Sequence, residues 1–160
     1  MDTEMNLRAR QDVNDLINRY LLAVDKYCNG MMTKQTLRQE FAGIFCRDVE
    51  VLVDFQGQTT EHSGAASWCD HVEQGLAEFN YCQHFLGPEL VKFENWLATE
   101  NSIQEAYTEA EYPLHTFHLT DTQRVEFLGW YFVSSCYNRE QGWRVCRLAL
   151  FIDHVLRSEY

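Results

Sequence analysis

A change of hydrophobic period near Asp48 is the feature that most limits how this chain can fold. Upstream, apolar residues recur every three or four positions between Gln11 and Cys28, which is typical of an amphipathic helix. Thr33 can cap a second helix of the same kind. From Val49 to Phe55 the apolar residues recur at every second position, which predicts a strand with one apolar face. The helical period returns once, after Gly64, so the chain begins with helices and continues mainly with strands.

The order of these elements predicts the fold class. Two strand-like stretches, Arg124 to Tyr137 and Trp143 to Asp153, flank a turn at 138–142 and should pair as an antiparallel hairpin. Helices followed by strands in hairpin order are typical of α+β domains, in which the helices lie on one face of a curved antiparallel sheet. Such a sheet can enclose a pocket. The length of 160 residues predicts a single domain over residues 1–160, with its core at about 11–153.

The charge argues against two classes of partner. The formal net charge is −11 at pH 7 and the Lys and Arg residues are scattered, whereas nucleic acids and anionic membranes are bound through clustered basic residues. No apolar run approaches the roughly 20 residues that span a bilayer. The stretch Met1 to Asn6 also lacks the basic-then-apolar order of a signal peptide. These features predict a soluble cytoplasmic protein with no nucleic acid and no membrane as partner.

The cysteines predict free thiols. None of the six belongs to a CxxC pair, and most fall within apolar stretches, so buried thiols are favoured over disulfides or zinc ligands. They are Cys28, Cys46, Cys69, Cys82, Cys136 and Cys146.

One histidine lies inside a strand-like run that ends in a Gly-Pro break. Alternation over Tyr81 to Leu86 places Cys82 and His84 on the same face of the strand, among buried neighbours. His84 is therefore either a core histidine satisfied by one hydrogen bond or a titratable group that faces a cavity. Asp25 lies at the edge of the apolar stripe of the first helix, where it faces either solvent or the same cavity.

The other histidines give weaker signals. His71 falls on the solvated side of the helix that follows Gly64. His115 and His118 fall in a stretch from Pro113 to Gln123 that reads as a loop, and no third ligand is near them in the sequence. No metal site is therefore predicted.

Several short motifs occur together in an order that is similar to a known family. Over roughly Gln11 to Asp153 the chain resembles the SnoaL-like branch of the nuclear transport factor 2-like superfamily, in particular its scytalone dehydratase and bile-acid dehydratase relatives. The residues that carry the resemblance are Tyr20 and Asp25 in the first helix, Phe45 before Asp48-Val49, Gly64 at a helix start, the run Tyr81-Cys82-Gln83-His84-Phe85-Leu86-Gly87, and Gly142-Trp143-Arg144-Val145.

The resemblance implies a cone-shaped α+β barrel with an internal pocket, in a family of dehydratases, isomerases, cyclases, epoxide hydrolases and binding proteins. It implies that His84 is the catalytic histidine and Asp25 the aspartate of the first helix, while Tyr20 reaches the cavity and Arg147 lies near a basic residue that some relatives use. It also implies a homodimer or homotrimer, for which the outer face of the strand that carries Trp130 and Tyr131 is a candidate interface.

The chain departs from the scytalone dehydratase pattern in two places. Val24 stands where that enzyme has a tyrosine before the helix aspartate. A second histidine is expected on the strand after His84, whereas the corresponding region offers Tyr107, Glu109 or Glu111.

The residues predict a lyase or isomerase of the dehydratase type that needs no cofactor. An imidazole exchanges protons near neutrality, so His84 would remove a proton while Asp25 fixes its tautomer. Tyr20, Tyr107 or Arg147 would hold the enolate oxygen. The substrate would be a hydrophobic small molecule of polyketide, terpenoid or steroid type. The alternatives are a non-catalytic binding or interaction module of the same fold, and an epoxide hydrolase or cyclase.

Overall fold

The computed structural model of the chain describes residues 3–99 and 102–160. Met1 and Asp2, which belong to the stretch that argued against a signal peptide, lie outside the described residues. None of the described helices is both long and apolar enough to cross a membrane. The elements are α1 (Thr3–Cys28), α2 (Lys34–Ile44), β1 (Phe45–Phe55), β2 (Gln58–Ser63), α3 (Ala65–Leu76), β3 (Tyr81–Leu86), β4 (Leu90–Thr99), β5 (Ser102–Leu119), β6 (Gln123–Asn138) and β7 (Gly142–Glu159).

The strands form one curved, unclosed sheet in the order β2-β1-β7-β6-β5-β3. β4 also pairs with β5, on the edge that β3 uses further along. The α+β class is therefore confirmed, and the sheet is open rather than a closed barrel. The predicted curved antiparallel sheet is confirmed with one exception, since β1 and β7 pair in parallel. Hydrophobic alternation identifies a strand but carries no information about its partner, and the partner of β1 is β7, the last strand of the chain.

The apolar stripe of α1 packs on the inner face of the sheet. Val13, Ile17 and Tyr20 on the helix are buried against sheet residues that include Tyr131 and Leu148. Burying a side chain of this size removes apolar area from water and contributes roughly 1.5–3 kcal/mol. α1 is thus held over the concave side of the sheet, and its last two turns reach β3.

β5 continues through Pro113 to Leu119, so the predicted loop at 113–123 is wrong. Pro113 lies where one edge of β5 changes partner, because its pairing with β4 ends at Glu111 and its pairing with β3 starts at Leu114. The missing N–H of a proline is tolerated at such a junction, and the Pro113 carbonyl still accepts from the Gly87 N–H at 2.8 Å. The histidines after Pro113 therefore lie on a strand.

β7 contains an extra residue that changes which side chains face inward. Its pairing with β6 shifts between Val145 and Arg147, which is a β-bulge. Val145 and Leu148 are both buried, whereas Arg147 is exposed. Simple alternation from Val145 places Arg147 on the inner face, and the bulge reverses that placement.

Candidate active site

Asp25 on α1 binds His84 on β3 in two ways. Asp25 Oδ1 lies 2.6 Å from His84 Nδ1, and Asp25 Oδ2 accepts the backbone N–H of His84 at 3.2 Å. The two side chains are 16% and 8% exposed. A carboxylate can only accept hydrogen bonds, so Nδ1 carries a proton, and in the neutral ring the free lone pair is on Nε2. The ring is thereby fixed in one orientation and one tautomer.

A second residue one helical turn along fixes the position of β3. Asn29 Oδ1 accepts the Cys82 N–H at 2.9 Å, and Asn29 Nδ2 donates to the Cys82 carbonyl at 3.3 Å. The Cys82 thiol donates to Asp25 Oδ1 at 3.4 Å. Residues four apart lie on the same face of a helix, so Asp25 and Asn29 together set the position of His84.

His84 lines a cavity of about 190 Å³ between α1, α3 and the inner face of the sheet. Most of its wall is apolar, and the polar groups that reach it come from both helices and from the sheet. The lining residues are Tyr20, Val24, Val53, Phe55, Trp68, His71, Val72, Gly75, Leu76, His84, Leu114, Thr116, His118, Phe127, Tyr131, Leu150 and Ile152.

His118 is the second histidine of this cavity. Its ring centroid lies 5.5 Å from that of His84 in an edge-on arrangement, and Thr116 Oγ1 lies 3.0 Å from His118 Nδ1. Burial, followed by the charge of a protonated His84, lowers the pKa of His118 to about 3, against a smaller opposing effect of Asp25. His118 is therefore neutral near pH 7.

The sequence contained a signal for His118 that the loop assignment hid. Inward and outward residues alternate along β5, with Leu114, Thr116 and His118 buried and the residues between them only partly buried. His71 is also misplaced by the sequence, because it lines the cavity and its ring stacks on Trp68 instead of facing solvent.

Tyr20 and Tyr131 lie together in the buried part of the cavity. Burial raises the pKa of both phenols above the usual range of tyrosine, and the two hydroxyl groups lie next to each other. Trp130 and Tyr131 were both named for a candidate interface on the outer face of β6. Only Trp130 lies on that face, where it is 42% exposed. The two phenols remain protonated and can donate hydrogen bonds at neutral pH.

Tyr107 and Arg147 do not line the cavity, contrary to their predicted role in substrate binding. Even-numbered residues of β5 face inward from Ala106 onward, so Tyr107 faces outward, and its hydroxyl donates to Glu109 at 3.3 Å. Arg147 is turned outward by the bulge in β7 and lines a surface groove with Glu50. Glu109 and Glu111 also lie on the outer side.

Asp25, Cys82 and His84 also have the residue types of a metal site. Their ligand atoms lie within 4.8 Å of one another, and no other group of three does so among the side chains that the structure describes. A hydrogen bond to the Cys28 thiol, then burial, raises the pKa of Cys82 above its usual range. A cation would need the Cys82 thiolate and would have to replace the 2.6 Å hydrogen bond, so the geometry fits a hydrogen-bonded pair better.

Comparison with known proteins agrees with this architecture. The model of the SnoaL-like domain matches residues 5–149. Among solved structures, a nuclear transport factor 2-like protein from Salmonella enterica has a TM-score of 0.68 at 15% identity, covering 91% of each chain. A candidate scytalone dehydratase from Novosphingobium aromaticivorans has a TM-score of 0.67 at 17% identity, covering 99% of this chain and 92% of its own.

A hexachlorocyclohexane dehydrochlorinase, LinA-type3 from Novosphingobium barchaimii, has a TM-score of 0.65 at 16% identity, covering 96% of this chain and 92% of its own. No curated protein matches the sequence. At these identities the solved structures establish the fold, and the domain match establishes the family. The chain belongs to the SnoaL-like domain family and has the nuclear transport factor 2-like fold.

Proposed function

We propose that the chain is a cofactor-independent lyase or isomerase in which His84 is the general base and Asp25 positions it. The observation that carries the proposal is the 2.6 Å contact between the two side chains at the wall of an apolar cavity. The structural neighbours support the broader class, since they include a candidate scytalone dehydratase and a dehydrochlorinase.

His84 removes a proton from a carbon next to a substrate carbonyl. Nδ1 is bound to Asp25, so Nε2 is the nitrogen that accepts this proton. The imidazolium that forms is stabilised by the adjacent carboxylate, which also prevents the ring from turning. The electron pair left on carbon moves onto the carbonyl oxygen and produces an enolate.

The enolate oxygen is held by Tyr20 and Tyr131. Both phenols are buried and both stay protonated at neutral pH, because burial raises their pKa values. Donors already oriented in a dry site stabilise a developing oxyanion more than water does. In an isomerase, the proton would return from His84 to a different carbon.

In a dehydratase, the hydroxyl on the next carbon leaves. The C–O bond breaks as the enolate collapses to an enone, and His84 gives its proton to the departing oxygen, which leaves as water. Neutral His118 can hydrogen bond to that hydroxyl without repelling the imidazolium 5.5 Å away. A protonated His118 would oppose the charge on His84.

The test is α-proton exchange, because it reports the proposed base without requiring the natural leaving group. Ring ketones such as 1-indanone are incubated in D₂O with the protein and followed by ¹H NMR, in parallel with β-hydroxy ketones assayed for loss of water. Exchange catalysed by the wild-type chain and abolished in His84→Ala supports the proposal. Exchange that survives in His84→Ala contradicts it.

The chain offers a matched control. His115 and Glu126 form a second histidine–carboxylate pair at 2.7 Å, but His115 is 40% exposed, on the outer side of the sheet. His115→Ala removes an imidazole without touching the cavity, so it should exchange like the wild type. An equal loss in both variants would point to general destabilisation.

The alternative of an epoxide hydrolase has less support. Such an enzyme needs several polar groups around one water molecule. The described wall of the cavity includes no arginine and no carboxylate, and the Asp25 carboxylate is already bound to His84.

A further inference from the structure

We propose that the indole N–H of Trp68 is a hydrogen-bond donor to an oxygen atom of the substrate, and that the buried part of the substrate is an uncharged carbonyl compound of about one ring. This inference rests on the proposed function, because it names the substrate class of the same cavity.

The first observation is a buried donor whose polar neighbour, the Tyr20 hydroxyl, does not complete a hydrogen bond of good geometry with it. Trp68 lies on α3, is 2% exposed and lines the cavity. Its Nε1 atom is buried and has no hydrogen-bond partner of good geometry among the described residues. Buried N–H groups are nearly always satisfied, and leaving one unsatisfied destabilises the fold. A substrate oxygen would satisfy it.

The second observation is that the donor is fixed beside two others. The Trp68 ring stacks on His71, with centroids 5.3 Å apart and planes 20° apart, and it also contacts the ring of His62 at 5.6 Å. The indole cannot turn toward solvent without breaking these contacts. The Tyr20 hydroxyl is a neighbour of both Trp68 and Tyr131. Donors from α1, α3 and β6 therefore converge on one place.

The charge of the cavity indicates an uncharged ligand. The described residues that line it include no Lys, Arg, Asp or Glu. Burial lowers the pKa values of His118 and His71, so both are neutral near pH 7. A carboxylate or phosphate buried here would have no opposite charge, which is strongly unfavourable. Three neutral donors suit a carbonyl oxygen and the enolate that forms from it.

The volume limits the size of the buried part. A cavity of about 150 Å³ holds benzene, whereas sites for drug-sized ligands begin at about 300 Å³. The value here is about 190 Å³. One substituted ring or a small bicyclic system fits, and a four-ring steroid does not fit whole. The expectation of a steroid-like substrate is therefore narrowed to smaller ketones.

The experiment compares three ligands of similar size by ¹⁹F NMR titration at pH 7.5: 4-fluoroacetophenone, 1-ethyl-4-fluorobenzene and 4-fluorobenzoate. Only the first is both uncharged and a hydrogen-bond acceptor. The wild-type chain should bind the ketone more tightly than the ethyl compound and should not bind the benzoate. Benzoate binding as tight as ketone binding, or no ketone binding, overturns the proposed class.

Trp68→Phe removes the donor and keeps an aromatic ring. It should weaken ketone binding about 3- to 10-fold, the value of one neutral hydrogen bond, and change binding of the ethyl compound by less than about 2-fold. Trp130→Phe on the outer face is the control and should change neither. Equal weakening of both ligands in Trp68→Phe would mean that Trp68 only packs against the ring, which overturns the inference.

A second measurement needs no variant. The ketone, but not the ethyl compound, should move one indole N–H proton resonance downfield, and nuclear Overhauser contacts to the His71 ring should identify that resonance as Trp68. An unmoved Trp68 resonance overturns the inference even if Trp68→Phe fails to fold. Ketone selectivity without α-proton exchange would overturn the proposed function and leave this subsite standing. Exchange without Trp68-dependent selectivity would support the proposed function and overturn this subsite.

Discussion

Replacing Asp25 with asparagine removes the negative charge of the histidine–carboxylate pair. The amide keeps the shape of the carboxylate, but it has one acceptor oxygen instead of two, so if that oxygen accepts the His84 backbone N–H, the amide NH₂ donates to Nδ1 and the proton of the neutral ring moves to Nε2. The Asp25→Asn variant therefore tests the charge and the tautomer that the carboxylate sets, rather than packing. The contact it alters is the 2.6 Å hydrogen bond from His84 Nδ1.

The magnitude follows from the distance between the charges. Unit charges about 4 Å apart interact by about 4 kcal/mol at an effective dielectric constant near 20. Each 1.36 kcal/mol changes a rate tenfold, so complete loss of this interaction in the transition state corresponds to roughly a 10³-fold slower reaction. Part of it is already present in the ground state as a charge-assisted hydrogen bond, so we expect kcat to fall about 10²- to 10³-fold with little change in KM.

The assay is α-proton exchange of 1-indanone in D₂O for Asp25→Asn, with Glu126→Gln as control. Glu126→Gln neutralises the carboxylate of the exposed His115 pair, which has a similar contact at 2.7 Å. The control should retain wild-type exchange. Circular dichroism and denaturant unfolding confirm the fold, and we expect Asp25→Asn to lose about 1.5–3 kcal/mol of unfolding free energy. A folded Asp25→Asn protein that exchanges within about 3-fold of the wild type would refute the role of the charge.

Three further predictions concern stability and assembly. The pKa of His118 is lowered in the folded state, so the unfolded state binds more protons below pH 6.5, and stability is lost as the pH falls from about 6.5 toward 3. The free energy of unfolding, measured by urea titration at several pH values, should therefore fall less steeply in His118→Gln, by up to about 1.4 kcal/mol per pH unit. Identical pH dependence in the wild type and the variant would contradict the low pKa. Gly129→Ala should destabilise by about 3 kcal/mol or more in the same assay, because a Cβ there would overlap the Phe151 carbonyl oxygen, whereas a Cβ at Gly75 meets nothing within 4 Å and Gly75→Ala should be neutral or stabilising. The expected homodimer or homotrimer should dissociate in Trp130→Glu when measured by sedimentation equilibrium, and an unchanged mass would remove that face of β6 as the interface.

Much of the fold was accessible from periodicity. Apolar residues that repeat about every 3.6 positions predict the helices α1, α2 and α3, and those that repeat at every second position predict the strands β1, β3 and β6. The predicted Thr33 cap is also observed. The same pattern correctly placed Cys82 and His84 on the inner side of β3. Local periodicity is enough for these elements because each of them buries one face over much of its length.

Errors arose where one residue interrupts a pattern. Pro113 is read as a loop signal, so His118 was assigned to a loop. A proline is acceptable in β5 because β4 and β3 pair with successive parts of the same edge and leave a junction at Pro113, which the sequence does not show. The bulge in β7 moved Arg147 to the outer face, and a bulge is visible only in the pairing of two strands. Neither feature has a distinct local signature.

The order of residues was sufficient to establish that helices precede strands, that His84 faces inward and that Asp25 lies at the edge of an apolar helix face. The folded chain was needed to show that these two residues, so far apart in the sequence, meet at 2.6 Å, and that His118 and Trp68 share their cavity. This division arises because periodicity reports which face of an element is buried, whereas the pairing of distant faces depends on strand register and helix packing, which sum contributions from the whole chain.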